Sequence, residues 1–269
     1  MNQKLLLQYL RRIKFQGTPD VSLKTLSQII LRHTQTFAFE NLNPLVGLPV
    51  SLELETIAHK FIVEHRGGYC FEHNRLLLEV FKAIGFEVRG LLGKVYAKGK
   101  RIEDLQRTHM IVLVSLDGKN FIADVGFGGF DPTSPIRLVC NRIQKTTKEN
   151  FRIIKERNHY ILQIMIQSRW VSLYLFDLQE QYPPDFKIAN WYTSAHPDSS
   201  FTYQLKAAIA TEECRYTLFN NVLSTHYLGK KSVKEKLTNL SSIRRVLQEN
   251  FKIRIDDLPN LDKELQKLI

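Results

Sequence analysis

Cys70 follows Gly67, Gly68 and Tyr69 and stands at the head of the apolar run RLLLEVFKAIGF, residues 75–86. A thiol attacks a carbonyl carbon only as the thiolate, so a cysteine that does chemistry needs surroundings that favour the anion. The spacing predicts a helix beginning at Cys70, and a helix start supplies unpaired backbone N–H groups and the positive end of the dipole. Gly67 and Gly68 leave room for a tight turn and for a substrate to approach the backbone. The same N–H groups are placed to hold an oxyanion on an attacked carbonyl. The plainer alternative is a small buried cysteine behind two helix-initiating glycines.

A nucleophilic cysteine needs a base, and the base needs a group that orients it. His109 lies in THMIVLVSL (108–116) and Asp124 in NFIADVGF (120–127), with the turn signal Asp117-Gly118 between them. If Asp117 and Gly118 are the two loop residues, Leu116 pairs with Lys119 and Asp124 falls opposite Ile111, two residues from His109 on the same face. His109 and Asp124 are then diagonal neighbours, close enough for a carboxylate to reach an imidazole. A loop of odd length would place them on opposite faces. A buried His and Asp that only satisfy each other is the competing reading. Taken together, Cys70, His109 and Asp124 form a Cys-His-acid arrangement of the papain-like kind, suited to acyl transfer.

Other residue types point to less. His65, Cys70 and His73 are near one another in sequence, but the spacing lacks a fourth ligand, so no metal is expected. Glu40 and Arg66 can pair, most simply as an ion pair that shapes the helical region. Gly126, Gly128 and Gly129 in GFGG are not a dinucleotide fingerprint, because FDPTSP follows where a helix should begin. They are either strand-end glycines or a side-chain-free border to the reactive sulfur. Two rival classes stay open. One is a peptidase or transglutaminase-like enzyme with the same Cys…His…Asp order; the other is a binding module without activity.

The elements that must position these residues read in three blocks, 1–85, 86–180 and 181–269. The first is helical, with apolar residues at helical spacing (Leu6, Leu10, Ile13; Leu23, Leu26, Ile30) and a final helix stopped by Gly85. The second holds short apolar runs broken by Gly, Asp, Asn and Lys, the pattern of a sheet or small barrel. The third is mixed and closes with an expected helix over about 233–251. The fold class is therefore α+β. The 269 residues are 43% hydrophobic and 24% charged, an ordinary composition for a folded chain. The densest apolar runs are strand-sized, and MNQKLLLQYLRRIKFQG does not read as a signal peptide, so no membrane segment is expected and a cytoplasmic location is. There Cys70, Cys140 and Cys214 stay reduced. A net charge of +11 invites an anionic partner, but the lysines are dispersed apart from short runs at 98–101 and 229–236. With no nucleic-acid motif beside them, a small phosphorylated ligand or plain solubility accounts for the charge better than nucleic acid.

RGGYCFEHN (66–74), RTHMIVLV (107–114), ADVGFGG (123–129), FAFENL (37–42) and NWYTSAHPDSSF (190–201) resemble the motifs of the arylamine N-acetyltransferases. The resemblance implies a helical bundle, a β-barrel and an α/β lid, and a Cys-His-Asp triad made of Cys70, His109 and Asp124. It also implies acetyl transfer from acetyl-CoA, with no metal, to aromatic amines or hydrazines through a cysteine thioester. It places Phe39, Phe127 and Phe201 around the acceptor, and Gly126, Gly128 and Gly129 along the coenzyme. One departure is TFAFENL, where the family more often has Ile-Pro before Phe-Glu-Asn-Leu. That change is expected to leave the backbone beside the pocket less fixed.

Overall fold

The computed structural model describes residues 1–97 and 99–269; Lys98, the first residue of the basic run at 98–101, lies outside the described residues. Helices α1 (Gln3–Arg12) and α2 (Leu23–Thr36) open the chain, each started by a side-chain cap, from Asn2 and Ser22. A two-residue strand β1 (Phe39–Glu40) follows, then short helices α3 (Leu42–Leu45) and α4 (Leu54–Ile62) and the long α5 (Cys70–Ile84). As the sequence predicts, α5 begins at Cys70 and ends at Gly85, which adopts φ +108°. One apolar core joins α1, α2, α4 and α5 to residues of the following strands.

Strands β2 (Glu87–Val95), β3 (Arg107–Leu116), β4 (Lys119–Ala123), β5 (Ile136–Arg137), β6 (Gln144–Lys145), β7 (Asn150–Glu156), β8 (His159–Ile166) and β9 (Arg169–Phe176) form one eight-stranded sheet in the order β5-β4-β3-β2-β9-β8-β7-β6. The sheet curls until its two edges meet. The Gln144 side chain bonds both the N–H and the C=O of Arg137, at 2.8 and 2.9 Å, and Cys140 bridges to Ile153. The result is a nearly closed barrel, which leaves few unpaired edge groups. Its interior is filled by Leu91, Ile111, Leu113, Ile122, Phe151, Ile153 and their neighbours.

In the last third, α6 (Pro183–Ala195) precedes β10 (Lys206–Ala210), β11 (Cys214–Phe219), β12 (Val222–Tyr227), β13 (Val233–Lys236), α7 (Leu240–Glu249) and α8 (Leu261–Gln266). Strands β10–β13 form a five-stranded antiparallel sheet whose fifth member is β1 from the first third. The fold is α+β, as expected. Two local expectations change. The helix expected over 233–251 starts later: 233–236 is an exposed strand paired with β12, and Asn239 caps α7 by accepting the Ser242 N–H at 2.8 Å. Helix α6 was not foreseen, although Pro183 and Pro184 at its first turn and Asp185, which accepts the Tyr182 N–H at 2.9 Å, are recognisable start signals. Among the described residues no helix is long and apolar enough to cross a membrane.

Candidate active site

The stretch leading into Cys70 is held by its glycines, though not by leaving space for a ligand. A Cβ on Gly67 would lie 1.7 Å from the carbonyl oxygen of Ala38. The backbone of β1 fills that space and is tied to the loop through Glu40 N–H, which donates to Gly68 C=O at 2.6 Å. His73 Nε2 adds a 3.2 Å bond to Ala38 C=O. The segment that lacks the family's proline is therefore pinned by hydrogen bonds from two sides, contrary to the expectation of a looser backbone.

That bond also sets a chain of tautomers. A carbonyl only accepts, so His73 Nε2 donates and its Nδ1 accepts from His33 Nε2 at 2.8 Å. His33 Nδ1 in turn accepts the Tyr9 hydroxyl at 2.9 Å. Burial keeps both rings neutral, with His33 pushed well below the usual histidine range and His73 down to about 4. His73, read with His65 and Cys70 as a weak metal pattern, is thus spent on packing the bundle. Among the described residues no three His, Cys, Asp or Glu side chains gather as a metal site. Glu40 and Arg66 do pair, at 2.7 Å, within a buried cluster where Lys60 donates to Glu72 at 2.8 Å. Glu72 closes this cluster onto the helix start by accepting the Tyr69 N–H at 3.1 Å.

The hairpin forms with the two-residue loop that the face argument needs. Leu116 pairs with Lys119, and Asp117 and Gly118 have φ +50° and +66°. The strand ends at Ala123, so Asp124 leaves the ladder and turns its carboxylate to the histidine. His109 Nε2 lies 2.7 Å from Asp124 Oδ2. The other oxygen, Oδ1, accepts from Asn74 Nδ2 at 2.9 Å and from Gly126 N–H at 3.0 Å. Asn74 sits one helical turn after Cys70 on α5. It also donates to Met110 C=O at 2.7 Å and accepts the Val125 N–H at 3.1 Å, locking helix, strand and loop together. Sequence reasoning missed this role; the spacing of four from Cys70 was the available signal.

Cys70 is 4% exposed and its Sγ lies 3.6 Å from Thr108 C=O. With Nε2 given to Asp124, Nδ1 is the ring nitrogen left for the thiol. Burial alone would push the His109 ring down, but the Asp124 carboxylate and the Cys70 sulfur outweigh it and push the imidazole up to about 10. Burial would raise Asp124; His109, Asn74 and the Gly126 N–H hold its carboxyl below the usual range. The Phe127 ring meets His109 edge-on at 5.3 Å, and Tyr174 packs against the same imidazole at 4.8 Å. Further from the sulfur, Phe201 lies 6.2 Å from Phe39 and 5.5 Å from Tyr69. A cavity of about 490 Å³ opens on this arrangement, lined by Cys70, His109, Phe39, Phe127, Phe201, Gly126, Gly128 and Gly129 among others. The structure thus brings together every residue that the sequence nominated for the site. The space at Gly126, however, is taken by Cys70 Cα, 2.8 Å from where a Cβ would stand, and at Gly128 by the Phe39 ring at 3.3 Å.

The sequence profile of the N-acetyltransferase family matches residues 22–259. The arylamine N-acetyltransferase of Mycobacterium tuberculosis (strain ATCC 25618 / H37Rv) is 37% identical over 254 residues, covering 93% of this chain and 89% of that protein. The chain belongs to the arylamine N-acetyltransferase family. The arylamine N-acetyltransferase of Escherichia coli K12 is 35% identical, covering 94% of this chain and 90% of the other. Among solved structures, the Mycobacterium marinum arylamine N-acetyltransferase in complex with CoA superposes with a TM-score of 0.94 at 33% identity, over 98% of this chain and 99% of that one. Family membership explains why five short motifs scattered through the chain converge on one cavity.

Proposed function

We propose that this enzyme transfers an acetyl group from acetyl-CoA to aromatic amines or hydrazines, with Cys70 as the nucleophile that carries it. The observation that carries the reading is the His109–Asp124 pair at 2.7 Å, set against a cysteine at a helix start and opening on one cavity. His109 takes the thiol proton at Nδ1, and Asp124 holds the ring and offsets its charge. The sulfur adds to the acetyl carbonyl, whose oxygen faces the unpaired N–H groups of the first turn of α5. Collapse expels the coenzyme thiolate, which recovers the proton from His109. The amine then attacks the acetyl thioester, gives its proton to His109, and restores the Cys70 thiolate. Phe39, Phe127 and Phe201 offer the ring faces for an aromatic acceptor. Gly126, Gly128 and Gly129 border the coenzyme arm. The helical segment 1–85 supplies the nucleophile, the barrel 86–180 supplies His109 and Asp124, and 181–269 covers the cavity. Three free cysteines fit a reducing, cytoplasmic location.

Intact-mass spectrometry tests the central step. Mixed with acetyl-CoA alone, the enzyme should gain one acetyl group on Cys70 and release free coenzyme. Adding an aniline should remove that group as the acetylated amine. Initial rates should give the parallel double-reciprocal lines of a ping-pong scheme. A Cys70→Ala enzyme that still turned over normally would overturn the assignment.

A further inference from the structure

The cavity beside Cys70 holds a cation that the transfer chemistry does not use. Lys206 opens β10, two residues before Ala208, so the two side chains share a face of the sheet. Ala208 pairs with Phe39 on one side and Thr217 on the other, and Lys206 pairs with Phe219; all of these line the cavity. Lys206 Nζ donates to Ser200 Oγ at 2.6 Å and sits 4.4 Å from the centre of the Phe201 ring. Neither partner carries a charge.

Among the described residues the fully buried cations are paired, and Arg12, partly buried like Lys206 and without a carboxylate, lies outside this cavity. Lys60 faces Glu72, Arg66 faces Glu40 and Arg215 faces Glu149. Lys206 is mostly buried yet has no carboxylate partner among the described residues. Burial lowers its pKa to about 8, so it keeps its proton at neutral pH at a solvation cost that an incoming anion would offset. Lys100 also lines the cavity, but it is exposed and water screens it.

Resting on the acetyl-transfer reading above, we propose that Lys206 is the anion-recognising residue of the cavity and selects acceptor amines whose aromatic ring bears a carboxylate. Its ammonium stands against Phe201, one of the rings that would hold the acceptor, so a flat ring packed there would bring a ring substituent to Nζ. The phosphates of the donor are the other anions that could meet it.

Two measurements separate these sources. The first is kcat/KM for 4-aminobenzoate against its methyl ester, in the wild type and in Lys206→Met and Lys206→Gln. The second is the rate of Cys70 acetylation by acetyl-CoA with no acceptor present. The wild type should prefer the acid, and both substitutions should lower the acid-to-ester ratio about ten- to hundredfold, the worth of one charge-assisted hydrogen bond. The methionine keeps the apolar stem and the glutamine keeps a polar end, so agreement between them assigns the loss to charge. An unchanged ratio overturns the proposal. A slower acetylation of Cys70 with the ratio unchanged would assign the anion to the donor and overturn it equally. A wild type that never acetylates Cys70 would sink the transfer reading itself, whereas one that forms the thioester without favouring the acid sinks only the selectivity.

Discussion

Asp124 accepts from His109, Asn74 and the Gly126 N–H, so its two oxygens serve both the histidine and the loop that follows. Asp124→Asn keeps the shape but places an amide where the ring nitrogen needs a carboxylate. Turnover should fall by on the order of 10⁴, as expected when a triad histidine loses its tautomer. The pair also links the site to stability. The His109 ring is raised to about 10 from an ordinary value near 6.5, so its stabilisation is full below about pH 6.5 and is lost as pH rises through 10. Asp124 is lowered, so its share is present above the ordinary carboxylate range and is lost in acid. The gap in unfolding free energy between wild type and Asp124→Asn should therefore be widest near pH 6 and should narrow at pH 8 and again at pH 10. Urea melts at the three pH values measure it. A gap that stays level or widens with pH would mean that the ring is neutral in the folded enzyme.

At the scale of elements, the decisive contact is between the start of α5 and the loop after β4. Gly126 is where they touch, and a methyl group there would lie 2.8 Å from Cys70 Cα. Gly126→Ala must push the loop away from the helix. The overpacking should cost about 1–3 kcal/mol and lower Tm by several degrees. Activity should suffer more, about a hundredfold, because Asp124 two residues earlier and the His109 it holds move relative to the sulfur. Thermal melts and kcat/KM on one preparation compare the two losses. A variant that lost stability but kept near-native kcat/KM would show that the loop tolerates the shift. The helix α6 acts at the same scale. The Tyr69 hydroxyl donates to Asn190 on α6, and Asn190 Nδ2 donates to Val50 C=O at 3.0 Å. A helix far along the chain thereby clamps the residue before Cys70.

Across the whole molecule, the apolar cores run between distant parts of the chain. Phe186, Ala189 and Ala208 belong to the core around α1, α2 and α5, while Ala38, Leu42 and Leu45 pack with residues from Leu205 to Leu265. Strand β1 has its ladder partner in β10. A fragment ending at residue 180 would lose the partner of β1 and expose both cores, so it should show no cooperative thermal transition. The full chain should unfold in one step by far-UV and near-UV circular dichroism. A fragment with a sharp melt and native-like near-UV signal would contradict this dependence.

The features legible in the residues alone were local or governed by parity. Two glycines before Cys70 and the apolar run after it specify a helix start. Asp117-Gly118 specifies a two-residue turn, and the period of two then puts His109 and Asp124 on one side. The family motifs name the same three residues. The helix expected over 233–251 failed locally too, because Asn239 outcompeted the weaker periodicity before it as a starting point. What fills the space beside the glycines was set by packing between distant segments. Ala38 C=O against Gly67, Asn74 on Asp124, Asn190 on Tyr69 and Lys206 in the cavity join positions that no short-range periodicity relates. Such contacts follow from how helices, barrel and sheet pack. A hydrogen bond or a close approach depends on fractions of an ångström, whereas sequence pattern conveys only which face of an element a residue occupies.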